Sequence, residues 1–178
     1  MLRSTERTIY PKCLVLSPTR ELCQQIQRSI QELTPTLKCV AVYGGSSVAT
    51  QMSQLRNGCD IICATPGRLR DLLDRRAFHK EYLELICLDE ADELLTPNFL
   101  SQIEFVLETK SKRQILMFSA TINRNVSSVI SNYMENPEFI DLTDGDQSKR
   151  LPANVKHYVR KPCFSRFIEI SNTFNTFG

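Results

Sequence analysis

Tryptophan is absent from this 178-residue sequence, histidine occurs twice and glycine six times. None of the six glycines is followed by lysine, which excludes a Gly-Lys-Ser/Thr loop whose backbone N–H groups wrap nucleotide phosphates. His79 and His157 lie far apart and no Cys-x-x-Cys pair occurs, so the ligand spacing of a zinc site is missing. No apolar stretch approaches the roughly 18 to 20 residues that cross a bilayer. The opening residues Met1 to Arg7 lack the apolar segment of a secretory signal. These absences predict a soluble intracellular protein, cytoplasmic or nuclear, with no membrane partner.

What is present is ordinary globular composition, 42% apolar and 24% charged, in a chain long enough for one domain with a core. The seven cysteines are odd in number, and Cys13, Cys39, Cys63 and Cys87 fall within or beside apolar strand-like runs. Reduced, buried thiols are therefore expected rather than a disulfide framework. A net charge of +2 is too small to imply nucleic-acid binding by itself. Local clusters at Arg68, Arg70, Arg75, Arg76 and Lys80, and at Lys149, Arg150, Lys156, Arg160 and Lys161, fit a solvated face or loop as readily as a phosphate track.

Aliphatic runs alternate with amphipathic segments, the pattern of βαβ units on a parallel sheet. Strands are expected at Cys13 to Leu16, Cys39 to Tyr43, Ile61 to Ala64, Leu85 to Leu88, Ile115 to Phe118 and Phe139 to Leu142. Helices are expected at about Arg20 to Leu33, Val48 to Leu55, Gly67 to Asp74, Asn98 to Val106 and Asn123 to Tyr133. The domain division that follows is a short lead over 1–12, an α/β domain over 13–142, a polar linker over 143–154 and a final segment over 155–178. In that last segment Val155 to Val159 reads as a strand and Ser171 to Gly178 as a frayed tail. The first five expected strands each run into turn or capping residues, and open α/β sheets bind ligands at such strand ends.

Asp89-Glu90-Ala91-Asp92 is the most chemical of these junctions. Asp89 at a strand end suits a Mg²⁺ ion held through water, and Glu90 suits a base that orients and deprotonates an attacking water. The same four letters equally suit a helix start, where acids favour the positive end of the dipole. The order of the neighbouring motifs separates the two readings. Pro18-Thr19-Arg20-Glu21-Leu22, Gly44-Gly45, Thr65-Pro66-Gly67-Arg68-Leu69, Asp89-Glu90-Ala91-Asp92 and Ser119-Ala120-Thr121 resemble, in sequence and spacing, the first RecA-like domain of the DEAD-box ATP-dependent RNA helicases. The resemblance runs from about Cys13 to Val159.

The resemblance implies a RecA-like parallel sheet with helices on both faces, and Mg²⁺ and ATP as ligands. It implies catalytic roles for Asp89 and Glu90, with Asp89 the Mg²⁺ partner through water, and coupling of ATP state to RNA through Asp92, Ser119 and Thr121. It assigns RNA contacts to Pro18, Thr19, Arg20, Gly44, Gly45, Thr65, Gly67 and Arg68. Helix N-termini, glycines and arginines at such positions suit phosphate oxygens rather than bases, so weak sequence preference is expected.

Against the family pattern the phosphate loop is missing, as are the preceding adenine-reading glutamine motif and the second RecA-like domain with its arginine finger. The final segment 155–178 would be only the start of that second domain. The expectation is therefore a fragment of an ATP-dependent RNA helicase that does not turn over ATP alone; the alternative is a catalytically inactive truncated product that acts at most as a weak RNA-backbone or partner-binding module. In RecA-like sheets the phosphate-loop strand lies beside the strand carrying Ser-Ala-Thr. Its loss predicts an open edge at Ile115 to Phe118, a place for a protein partner.

Overall fold

The computed structural model describes residues 10–108 and 113–141, together with the backbone of Tyr158–Arg160 and Glu169–Ser171. Strands β1 (Cys13–Leu16), β2 (Cys39–Val42), β3 (Ile61–Ala64), β4 (Leu85–Leu88) and β5 (Gln114–Met117) form one sheet in the order β2-β3-β1-β4-β5, and every pairing is parallel. Period-two alternation divides the strand residues between two apolar layers. Leu14, Leu16, Val40, Val42, Ile62, Ala64, Ile86 and Leu88 face one layer. Cys13, Val15, Cys39, Ile61 and Cys63 face the other.

Helix α1 (Arg20–Leu33) covers the thiol-bearing face through Cys23, Ile26 and Ile30. The opposite face carries α2 (Val48–Arg56), α3 (Pro66–Asp74), the short α4 (Ala91–Leu94), α5 (Pro97–Leu107) and α6 (Arg124–Tyr133), contributing among others Leu55, Leu69, Leu72, Leu94, Ile103, Val106 and Val126. A fully buried Leu or Ile stabilises the fold by roughly 1.5 to 3 kcal/mol, and Leu14, Leu16, Ile62 and Ile86 are 0% exposed. The sheet centre therefore anchors the loops at its strand ends. All six described cysteines are free. Burial pushes Cys13 and Cys59 up to about 12 and Cys23 and Cys87 up to about 11, so they are protonated core residues. A hydrogen bond with Cys39 and burial likewise raise Cys63.

Five of the six described α-helices have local chemistry at their starts. Thr19, Ser47 and Asn123 accept hydrogen bonds from the N–H groups of Leu22, Thr50 and Val126 at 3.3, 3.3 and 3.0 Å, and Pro66 and Pro97 occupy first-turn positions where no N–H is needed. Strand and helix boundaries depart from expectation by a residue: β2 stops at Val42 because Tyr43 enters the glycine loop, and β5 begins and ends one residue early.

The expected strand Phe139 to Leu142 is a correction. Phe139 to Asp141 are not in a strand, and Phe139 and Ile140 are 64% and 78% exposed; an apolar run becomes a strand only where a neighbour supplies ladder hydrogen bonds. Leu142 and the linker over 143–154 lie outside the described residues, as do residues 1–9 of the lead. The chain divides into two units, Met1–Pro137 and Glu138–Gly178. In the second, β6 (Tyr158–Arg160) pairs antiparallel with β7 (Glu169–Ser171). Of the expected strand Val155 to Val159, Tyr158 and Val159 lie in β6 and Val155 to His157 lie outside the described residues; Ser171 belongs to β7 rather than to a frayed tail, and the rest of that tail lies outside the described residues. No described helix is long and apolar enough to cross a membrane.

Candidate functional site: the carboxyl edge of the sheet

All five strands of the first unit run parallel, so their following loops share one edge, and backbone hydrogen bonds stitch these loops together. Ser17 N–H donates to Ala64 O at 3.0 Å, Thr65 N–H to Val42 O at 3.0 Å and Asp89 N–H to Leu16 O at 2.9 Å. Ala91 N–H donates to Phe118 O at 2.9 Å. The strand ends that lead into the motifs singled out in the sequence are thereby tied to one another.

On one side of this edge a cleft of about 470 Å³ is lined by Pro18, Arg20, Gly44, Thr65, Gly67 and Arg68, with Pro66, Asp71, Phe99 and Gln102 completing it. Six of the eight expected RNA contacts thus meet in one concavity. The other two shape its walls: Thr19 caps α1, and Gly45 turns the loop at φ +80°, a left-handed conformation that a Cβ disfavours. A Cβ at Gly44 would meet nothing within 4 Å, so the outer face of that loop is open to a ligand. Arg20 is exposed and lies over the Tyr43 ring at 5.0 Å.

Arg68 behaves differently from Arg20. Its side chain is 10% exposed, and Nη1 donates to Ser46 O at 3.0 Å and Gln51 Oε1 at 2.7 Å. It braces the glycine loop as well as lining the cleft. Three more residues of that basic cluster are engaged in the fold. Arg70 and Arg75 pair with Asp74 and Asp71 on α3 at 3.1 and 2.6 Å, and Lys80 Nζ donates to Phe105 O at 2.6 Å. Four residues were not foreseen: Gln51, Asp71, Phe99 and Gln102. A Cβ at Gly67 would come 3.2 Å from Gln102 Oε1, which shows how closely α5 packs on the start of α3. No local signal marks these residues, because their roles arise from helices packing across the sheet.

The acidic loop and Ser119-Ala120-Thr121 form a second cluster on the same edge and do not line the cleft. Glu90 adopts φ 52° and ψ 54°, left-handed geometry that costs a non-glycine residue about 1 to 2 kcal/mol. Although Glu90 precedes α4, its side chain makes no cap hydrogen bond, so the helix-start reading does not account for its carboxylate. Asp89 Oδ1 accepts from Glu90 N–H at 3.1 Å. Magnesium takes one or two carboxylates together with substrate phosphates and water, and Asp89 with Glu90 fits the carboxylate side. The phosphate side has no matching Gly-Lys loop in this sequence, and no group of three His, Cys, Asp or Glu able to hold a metal occurs among the described residues.

Asp92 Oδ2 accepts from Thr121 Oγ1 at 2.8 Å, and Ser119 Oγ donates to Thr121 O at 2.6 Å. Partial burial pushes the Asp92 carboxyl up, but hydrogen bonds from Thr121 and Ser119 outweigh it and hold the carboxyl below its ordinary value. A carboxyl depressed on folding stabilises the fold above its unfolded pKa, and that contribution is lost as pH falls through the folded value. The link between the loops therefore opens in acid, below the ordinary aspartate range. Thr121→Val is expected to move the Asp92 titration, followed by carboxyl carbon NMR, upward to the ordinary range; an unmoved titration would discount the link.

Comparison with known proteins agrees with this fold. The family model described as DEAD/DEAH box helicase matches residues 1–129. The chain is 39% identical over 149 residues to the mitochondrial DEAD-box ATP-dependent RNA helicase 9 of Arabidopsis thaliana, covering 83% of this chain and 24% of that protein. It is 38% identical over 156 residues to the pre-mRNA-splicing ATP-dependent RNA helicase PRP28 of Kluyveromyces lactis, covering 84% of this chain and 29% of that one. Among solved structures, the yeast DEAD-box splicing factor Prp28 matches with TM-score 0.65 and 36% identity, over 70% of this chain and 31% of that chain. A DEAD box protein from Methanococcus jannaschii matches with TM-score 0.67 and 33% identity, over 71% and 36%. The five-stranded sheet is RecA-like, and the chain spans about a quarter of the length of the curated relatives it matches.

Proposed function

The chain belongs to the DEAD/DEAH box helicase family, and from this we propose that it carries the RNA-backbone-binding face and the Asp89-Glu90 hydrolytic edge of an ATP-dependent RNA helicase. By itself it acts as a passive RNA-backbone module. The observation that carries this reading is the convergence of Pro18, Arg20, Gly44, Thr65, Gly67 and Arg68 on one cleft.

The chemistry follows from the lining. Thr65-Pro66 opens α3, so the first N–H groups of that helix and the positive end of its dipole favour a phosphate oxygen. Gly44 allows the strand to approach without a side chain between, and exposed Arg20 supplies a guanidinium for a second phosphate. None of these groups reads a base edge, which accords with weak sequence preference. In the complete site, Asp89 would hold hydrated Mg²⁺ and Glu90 would position water, while Asp92, through its bond to Thr121, would couple the state of that edge to RNA by way of Ser119-Ala120-Thr121.

Labelled single-stranded RNA titrated against the 178-residue chain is expected to bind weakly and to lose affinity with salt, by a slope of about 0.7 per phosphate contact. A non-hydrolysable ATP analogue is expected to leave this affinity unchanged. Arg20→Ala is expected to weaken binding and to lower the slope by about 0.7. Nucleotide-tightened binding would refute the passive module, and salt-independent binding would refute the phosphate contacts.

A further inference from the structure

We propose that Gln51 is a positioning residue for the RNA-backbone cleft: its buried amide locks the Tyr43 carbonyl to the Arg68 guanidinium and so sets the spacing between the Gly44-Gly45 loop and the start of α3. The inference rests on the RNA-backbone reading of that cleft.

Gln51 is 4% exposed on α2, in a helix whose other buried residue is Leu55. A polar side chain in such a place is unfavourable unless its hydrogen-bonding capacity is met, and here both ends of the amide are engaged. Oε1 accepts from Arg68 Nη1 at 2.7 Å, and Nε2 donates to Tyr43 O at 3.2 Å. Arg68 Nη1 also donates to Ser46 O at 3.0 Å, so the guanidinium grips the far side of the same loop. Its ion pair with Asp71 is stretched to 3.9 Å, which leaves Gln51 and Ser46 as its close partners. Tyr43 is held from α1 as well, by Gln24 Nε2 donating to Tyr43 Oη at 2.6 Å.

The loop is consequently tied on its inner side while its outer side at Gly44 stays open. Leucine would fill the volume with neither bond. Glutamate would keep the acceptor for Arg68 but lose the donor to Tyr43. The side chain that satisfies both partners is the one present.

Gln51→Leu is expected to weaken binding of a labelled single-stranded oligouridylate about tenfold, at a temperature where the variant remains folded. The salt slope is expected to stay that of the unsubstituted chain, because no phosphate contact is removed. Amide hydrogen exchange at Gly44 to Ser47, measured without RNA, should accelerate in step. Gln51→Glu should fall between the two, and Gln51→Leu added to Arg68→Ala should weaken binding no further than Arg68→Ala alone. Unchanged affinity, a fully additive double variant, or a lowered melting temperature with intact affinity and exchange would each overturn the proposal. If the unsubstituted chain binds no RNA, the functional reading fails and takes the RNA role with it, while the exchange data still decide whether the tether exists.

Discussion

ATP turnover by the 178-residue chain is expected to remain at buffer background, with or without RNA, and Glu90→Gln is expected to change nothing measurable. The reason lies in what a phosphoryl-transfer site must hold. Asp89 and Glu90, proposed above to serve hydrated Mg²⁺ and a water, stand at the end of β4, and the left-handed Glu90 backbone lies between Asp89 and α4. Catalysis of this reaction consists largely of positioning and of neutralising charge on the transferred group. A Gly-Lys loop does both for the β- and γ-phosphates, and no glycine in this sequence precedes a lysine. Neither His79 nor His157 is followed by the arginine of the family's finger motif, and an arginine finger alone is worth about 10³ to 10⁵ in rate. Carboxylates without bound phosphates have nothing to act on. A colorimetric phosphate assay and the Glu90→Gln control decide the matter: RNA-stimulated turnover abolished by that substitution would sink the expectation.

How much of this was legible beforehand depends on whether the determinant is local. The strands at Cys13, Ile61 and Leu85 have the expected boundaries, because short apolar runs bounded by capping residues leave little freedom in a parallel sheet. The helix at Arg20 begins where Thr19 caps it. Cys13, Cys39 and Cys63 were legible as buried, Cys87 is only half-buried, and period two explains why all four share the α1 face. The cleft was legible as a set of motifs but not as a shape. Gln51 looks like any helix-surface glutamine until α3 brings Arg68 against it, 17 residues away in the chain. Phe99 and Gln102 reach the cleft because α5 packs on α3, which no local pattern encodes. Phe139 to Asp141 was misread for the complementary reason: its apolar residues satisfy strand preference, while strand formation needs a neighbouring edge.

That edge requirement leads to the second large expected effect, self-association through β5. Among the described residues β5 ends the sheet, and its burial contrasts with the centre: every residue of β1 is buried, whereas no residue of β5 is. Phe118 and Ile122 just beyond it are 58% and 64% exposed. Parallel strands are normally covered on both faces and paired on both sides, and a bare apolar edge is a template for another strand. Gln114 and Phe118 N–H donate to Glu84 O and Leu88 O of the β4 side at 3.0 and 2.9 Å. Alternation along the ladder therefore turns the N–H groups of Ile115 and Met117 outward. The chain is expected to sediment as a concentration-dependent mixture at micromolar concentration and to lack a sharp monomeric melt. Met117→Pro removes one outward donor without touching the β4 bonds, and proline is tolerated at such an edge position. Removing one ladder hydrogen bond weakens pairing by about 1 kcal/mol, and crowding by the proline ring adds to this, so association should fall roughly tenfold. A sharp, cooperative, monomeric melt of the unsubstituted chain would show that the edge is already covered, and an unaffected Met117→Pro mixture would place the association elsewhere on the molecule.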